Sequence, residues 1–160
     1  MKKQSLFYGI ILIGIGLLFL LQNWEITVAA RWFDWPTLLL ITGFAFMAES
    51  IFKRVPLSFL PGLLLLIFGL HFHFLEWFAN WPNHISIYAV FIGSAILLDY
   101  IQTRRSGWFT GLLLLLIGAA FFYSNELRGI IGESIFSPMY RFGPLLLIIL
   151  GIYFTLRNKT

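Results

Sequence analysis

Six apolar runs, none with an Asp, Glu, Lys or Arg near its centre, constrain this chain more than any other feature. They cover residues 6–21, 36–52, 57–75, 85–101, 108–123 and 142–156. A hydrocarbon layer about 30 Å thick takes roughly 17–25 apolar residues in a helix. Only 11% of the 160 residues are charged, against about a quarter in an average soluble domain. A chain so poor in charge cannot clothe a water-soluble globule. The expected fold class is all-α integral membrane, a single membrane domain over residues 1–160 with six transmembrane helices and both termini cytoplasmic.

The runs repeat. Gly9 is followed seven residues on by Gly16, Gly62 by Gly69, and Gly111 by Gly118. The alternate runs carry a second pattern, in which Pro36 precedes Gly43, Ser86 precedes Gly93 and Pro144 precedes Gly151 by the same interval. The unit is a helical hairpin of about fifty residues, expected three times in tandem at 5–54, 57–105 and 108–159. Residues seven apart lie two turns apart on one helix face, so each glycine pair makes a smooth strip that another helix can approach closely. Helix packing is the plain reading of these nine glycines; a pore or substrate groove is the functional alternative.

The basic residues orient the chain. Lys2, Lys3, Lys53, Arg54, Arg104, Arg105, Arg157 and Lys159 fall on one side of a six-span arrangement, and only Arg31, Arg128 and Arg141 on the other. Lys and Arg near span ends favour the cytoplasm. Trp24, Trp32, Trp35, Trp77 and Trp81, five of six tryptophans, share the opposite side, as an interfacial belt requires. The first run could be read as a signal peptide, but the cleavage-like Val28-Ala29-Ala30 lies well beyond it. Its recurrence later in the chain marks it as a retained helix.

Few residues offer chemistry. There is no cysteine, hence no disulfide, thiolate site or thiol nucleophile. The basic residues are not interleaved with aromatics as a nucleic-acid surface would need. Glu49 and Asp99 each lie six residues after a second-run glycine, and Arg157 takes that place in the third hairpin. Around a pseudo-threefold axis they could form one charge cluster at the cytoplasmic ends; a local pair of Glu49 with Lys53, four residues on, is the simpler reading. His71 and His73 are two apart, about 200° around a helix, and point to opposite sides. His73 shares a face with Glu76, His84 is the one further histidine, and zinc wants three or four convergent ligands. No metal or other cofactor is expected. Thr42 and Ser94 are the central hydroxyls, and either can bond its own helix backbone. The link 125–139 places Leu127, Ile130, Ile131 and Ile135 on one face, suiting a short helix lying in the outer interface.

The repeated unit resembles a known family. Gly9 to Asn23 followed by Trp35-Pro36-Thr-Leu-Leu-Leu-Ile-Thr-Gly43 is similar to the LiaI–LiaF-like transmembrane region, and Gly111 to Asn125 with Gly143-Pro-Leu-Leu-Leu-Ile-Ile-Leu-Gly151 is a second copy. The middle copy departs, with Ser86 for Pro and Ile87-Tyr88-Ala89-Val90 for the leucine run. The resemblance implies a bacterial cytoplasmic-membrane protein whose relatives accompany two-component systems responding to cell-envelope stress. The β-rich extracytoplasmic domain of LiaF-type proteins does not follow here, which weighs against direct inhibition of a sensor kinase. The family supplies no catalytic residues.

Three functions fit these residues. A non-enzymatic scaffold or accessory protein would bind other membrane proteins, such as a sensor kinase, or itself, through exposed helix faces. A small transporter or channel formed by the hairpins is the alternative, though the lack of central charges argues against proton or ion coupling. An intramembrane enzyme would need a nucleophile–base pair that no motif here provides.

Overall fold

The structure, a computed structural model, describes residues 5–24, 32–104, 107–124, 141–143, 145, 148, 149, 151–153 and 156. They fall into two compact units, 1–119 and 120–160. The first holds helices α1 (Ser5–Asn23), α2 (Trp35–Phe52), α3 (Phe59–Trp77), α4 (Ile85–Thr103) and most of α5 (Trp108–Phe122). In the second, the described residues between 141 and 156 are helical, and Leu145, Ile148, Ile149 and Ile152 among them are exposed. No strand occurs among the described residues. Among the described residues, four stretches are long and apolar enough to cross a bilayer: Leu6–Asn23, Trp35–Phe52, Pro56–Trp77 and Ile85–Thr103. The fifth expected span forms α5, an apolar helix of 15 residues; at 1.5 Å per residue it reaches about 22 Å, short of a full hydrocarbon layer. The sixth, 142–156, is described only in part, and the interfacial link 125–139 lies outside the described residues.

Proline places the helix starts. Pro36 stands in the first turn of α2 behind an extended Asp34, where its missing N–H costs nothing. Val55 is extended, as the residue before proline prefers, and Pro56 opens a 3₁₀ turn, Pro56–Ser58, that leads into α3. His84 caps α4, its Nδ1 accepting from the Ser86 backbone N–H at 3.3 Å. At the other ends of α2 and α4 two arginines take the left-handed conformation, Arg54 at φ 51° and Arg104 at φ 54°. A side chain pays roughly 1–2 kcal/mol to sit there, and glycine does not. Arg54→Gly and Arg104→Gly should each therefore raise stability by about 1 kcal/mol. Lys53→Gly, at an ordinary φ of −102°, should raise nothing. Unfolding in mixed micelles checks this, and equal effects at all three positions would contradict the strain.

Neighbouring helices run antiparallel, and small residues set how closely they pack. A Cβ on Gly43 would lie 2.8 Å from the Leu66 nitrogen and 3.0 Å from the Gly62 oxygen, so α2 and α3 meet backbone to backbone. Further along this pair, Leu40 covers Gly69 with its backbone nitrogen 3.1 Å from a would-be Cβ. The α4–α5 seam is tighter, for a Cβ on Gly93 would lie 2.5 Å from the Leu115 nitrogen and 2.8 Å from the Gly111 oxygen, while Val90 covers Gly118. Helix α1 lies against α2 through Gly14 on Ile41 and Phe7 on Phe46. The buried apolar side chains of the described core are Ala45, Ala48, Ile87 and Ala95. Bulky ones stand outside, Ile13 71% and Phe52 77% exposed among them. Small residues inside and large apolar ones outside is the arrangement that lipid, and not water, favours.

Candidate functional site

The polar side chains buried most deeply in the described residues belong to one turn of α3. His71 is 1% exposed and His73 0%. Their 200° separation sends them to different neighbours. His73 meets Thr37 at the start of α2, with Oγ1 2.9 Å from its Nε2. Its ring stacks on Trp77 at a centroid distance of 5.0 Å and leans on Trp32 at 4.9 Å. His71 instead turns toward α4, edge-on to Phe91 at 5.1 Å and Tyr88 at 5.4 Å.

A turn just after α3, closed by Trp81 N–H on the Phe78 carbonyl, brings the Trp81 indole back to His71. Its Nε1 donates to His71 Nδ1 at 2.9 Å. Indole can only donate, so Nδ1 accepts and a neutral ring carries its proton on Nε2. That atom and His73 Nδ1 are both buried without a hydrogen-bond partner among the described residues. Each imidazole is thus half satisfied in a low-dielectric setting, where an unmade hydrogen bond is costly. The pair ties three helices together at one end of the bundle: His73 to α2, His71 to the α3–α4 turn and α4.

The histidines do not converge on one point, and among the described residues no group of three His, Asp or Glu could hold a metal. His84, the third histidine, is occupied at the α4 cap, its Nδ1 also within 2.6 Å of Ser86 Oγ. Glu49 accepts a hydrogen bond from Ser58 Oγ at 3.0 Å, which fastens the end of α2 to the turn entering α3. Asp99 offers its backbone carbonyl to Thr103 Oγ1 at 2.7 Å. Arg157, the third member expected in a charge cluster, lies outside the described residues. Thr42 bonds back to the Leu38 carbonyl at 2.7 Å, a hydroxyl turned onto its own helix. Of the glycines, Gly43, Gly62, Gly69, Gly93, Gly111 and Gly118 have another helix within 3 Å or so of a would-be Cβ, and at Gly9, Gly16 and Gly151 nothing described lies within 4 Å.

Thr37 and Trp81 are the residues that sequence reasoning missed as histidine partners. The antiparallel register would have found Thr37: if Gly43 faces Gly62 and Leu40 faces Gly69, residue 37 falls near 73. Nothing comparable marks Trp81, whose approach depends on the turn at 78–81.

Residues 6–47 match the family described as the LiaI-LiaF-like transmembrane region. The chain is also 27% identical over 105 residues to the uncharacterized membrane protein YsxD of Bacillus subtilis (strain 168). That similarity covers 66% of this chain and 64% of the relative, so the chain spans less than two thirds of the relative's length. No solved structure matches. The chain is a membrane protein that sits in the lipid bilayer through apolar helices.

Proposed function

We propose that this chain is a non-enzymatic scaffold or accessory protein of the bacterial cytoplasmic membrane, linked to the sensing of cell-envelope stress. In this reading it crosses six times as three tandem hairpins with both termini inside. It binds other membrane proteins, such as a sensor kinase, through the outer faces of its helices. The observation that carries it is the closure of the seams. Backbones that would come within about 3 Å of a single added methyl at Gly43, Gly62, Gly93 and Gly111 leave no solute-sized groove between those helices. The large apolar side chains stand on the outside, where partner helices can reach them. The recurrence of the α2–α3 seam at α4–α5, about fifty residues on, supports the tandem arrangement. The match of residues 6–47 supports the envelope-stress link.

Two buried imidazoles, each with an unpartnered ring nitrogen, are what favours the alternative, a small transporter or channel, since ionisable groups at membrane depth often mark a path. One pair of measurements separates the two. Crosslinking in native membranes with mass spectrometry should recover a kinase or an envelope factor. Solute flux from vesicles holding the purified protein, together with an empty crosslinking result, would overturn the scaffold reading. Cysteines placed singly at Arg54 and Trp81 of this cysteine-free chain should differ in labelling by an impermeant maleimide, with position 54 protected in intact cells; the reverse would invert the topology.

A further inference from the structure

The link from α3 to α4, residues 78–84, is held at two places by an imidazole nitrogen that accepts. Trp81 Nε1 donates to His71 Nδ1 at 2.9 Å. The Ser86 backbone N–H donates to His84 Nδ1 at 3.3 Å. An indole N–H and a backbone N–H can only donate, so each Nδ1 has to be bare. The second proton of an imidazolium goes on that nitrogen, and two N–H groups would then face each other. Neither donor can turn into an acceptor, so both bonds are lost. A protonated His84 keeps Ser86 Oγ, 2.6 Å away, but gives up the backbone cap.

The surroundings of His71 offer no replacement. It is 1% exposed, and its Nε2 is already without a partner among the described residues. The rings against it are Phe72 on its own helix, Trp81 on the link, and Tyr88 and Phe91 on α4. Of these only the Tyr88 phenol can ionise. Asp34 and Glu76 act on His73, whereas no charge among the described residues acts on His71. An imidazolium at position 71 would hold two unpartnered N–H groups away from water, at a cost well above that of the neutral ring. Water reaches it when Trp81 swings off, and Trp81 also lies edge-on to Phe74 at 4.7 Å.

We propose that the 78–84 link is an acid-released latch: a proton on His71 expels the Trp81 indole, a proton on His84 removes the cap of α4, and the link opens, uncovering Phe74. Histidine is the side chain whose ordinary titration lies in the range where such a latch is useful. Once open, His71 takes its proton near the ordinary imidazole value of about 6.5; closed, it has no place for one. Opening is therefore independent of pH above that value and grows about tenfold per unit below it. The latch acts on this link whatever the chain binds, so it does not rest on the scaffold reading.

Amide hydrogen exchange of the full-length chain in mixed micelles tests it, each rate being corrected for chemical exchange at its pH. The Trp81 amide is bonded to the Phe78 carbonyl at 3.0 Å. Its protection should fall about a hundredfold between pH 7.5 and 4.5, while the Leu66 amide in the middle of α3 keeps its own. His71→Phe should remove most of that fall, and His73→Phe should leave it in place. His84→Asn retains a capping side chain that does not titrate, and should remove the acid response of the Ser86 amide. A Trp81 amide whose protection ignores pH overturns the proposal. So does a fall that persists in His71→Phe or vanishes in His73→Phe instead. If His71→Phe does not fold, the unaltered chain with nitrogen-15 histidine decides: protons on both ring nitrogens of His71 while the Trp81 amide stays protected overturn it.

Discussion

Gly93→Val should destabilise the bundle by about 3 kcal/mol or more and deplete the protein from the membrane. The methyl carbon that every larger residue adds at this position would stand 2.5 Å from the Leu115 nitrogen and 2.8 Å from the Gly111 oxygen. Both are backbone atoms, so no rotamer change can make room. The helices must separate instead, by about an ångström, and every dispersion contact along the seam weakens together. Gly93→Ala should already cost most of this, because the first carbon makes the clash; valine adds only the worsened fit. Gly9→Ala is the matched control. Nothing described lies within 4 Å of its Cβ, and alanine is the better helix former by about 1 kcal/mol, so it should leave stability unchanged or raise it. Reversible unfolding in mixed micelles measures both. Equal losses at the two positions would mean that the α4–α5 seam does not exist as described. Between them falls Gly14→Ala, whose neighbour at 2.6 Å is the side chain of Ile41 and can rotate away.

The difference between those glycines marks where the sequence stops informing. Seven-residue spacing showed that Gly9–Gly16, Gly62–Gly69 and Gly111–Gly118 are smooth strips, because periodicity reports a helix's own face. It could not say which helix covers each, since that depends on crossing geometry between segments distant in the chain. The tightest described seam of α2 is with α3, across a basic turn, and not with α1, its partner in the expected hairpin 5–54. The opposed directions of His71 and His73 were legible for the same reason as the strips, from 100° per residue alone. Their complete burial was not. It arises from Thr37, thirty-six positions away, and from a turn that folds Trp81 back over α3. The start of α2 was readable from Pro36, whereas the left-handed ends at Arg54 and Arg104 run against residue preference and no local rule marks them.

Thr37→Val should cost about 1–2 kcal/mol, and the loss should depend on His73. Among the described residues the hydroxyl is the one hydrogen-bond partner of the His73 ring, 2.9 Å from Nε2, and Nδ1 has none. Valine keeps the shape of threonine and removes only that bond, leaving an imidazole with both nitrogens unpartnered between Trp32 and Trp77. Removing one partner of a buried pair exposes the full desolvation cost of the other; replacing both with apolar groups of similar size can be nearly neutral. His73→Phe should therefore be milder than Thr37→Val, because phenylalanine keeps the ring stack and abolishes the unsatisfied Nδ1. Adding Thr37→Val to His73→Phe should then cost almost nothing. Interhelical hydrogen bonds in membranes average near 0.6 kcal/mol and reach about 1.7 in such cycles, so a coupling in the upper part of that range is expected for a pair this deeply buried. Trp81→Phe acts on His71, toward the opposite side of α3, and its effect should add to that of Thr37→Val without coupling. Unfolding free energies of the four variants, with the fluorescence of Trp32 and Trp77 as a local report on the stack, decide the matter. Strict additivity between positions 37 and 73 would show that the histidine is held by packing alone. A strong coupling would show that a polar clasp fixes α2 to α3 at the end of the bundle where the backbone seam at Gly43 no longer reaches.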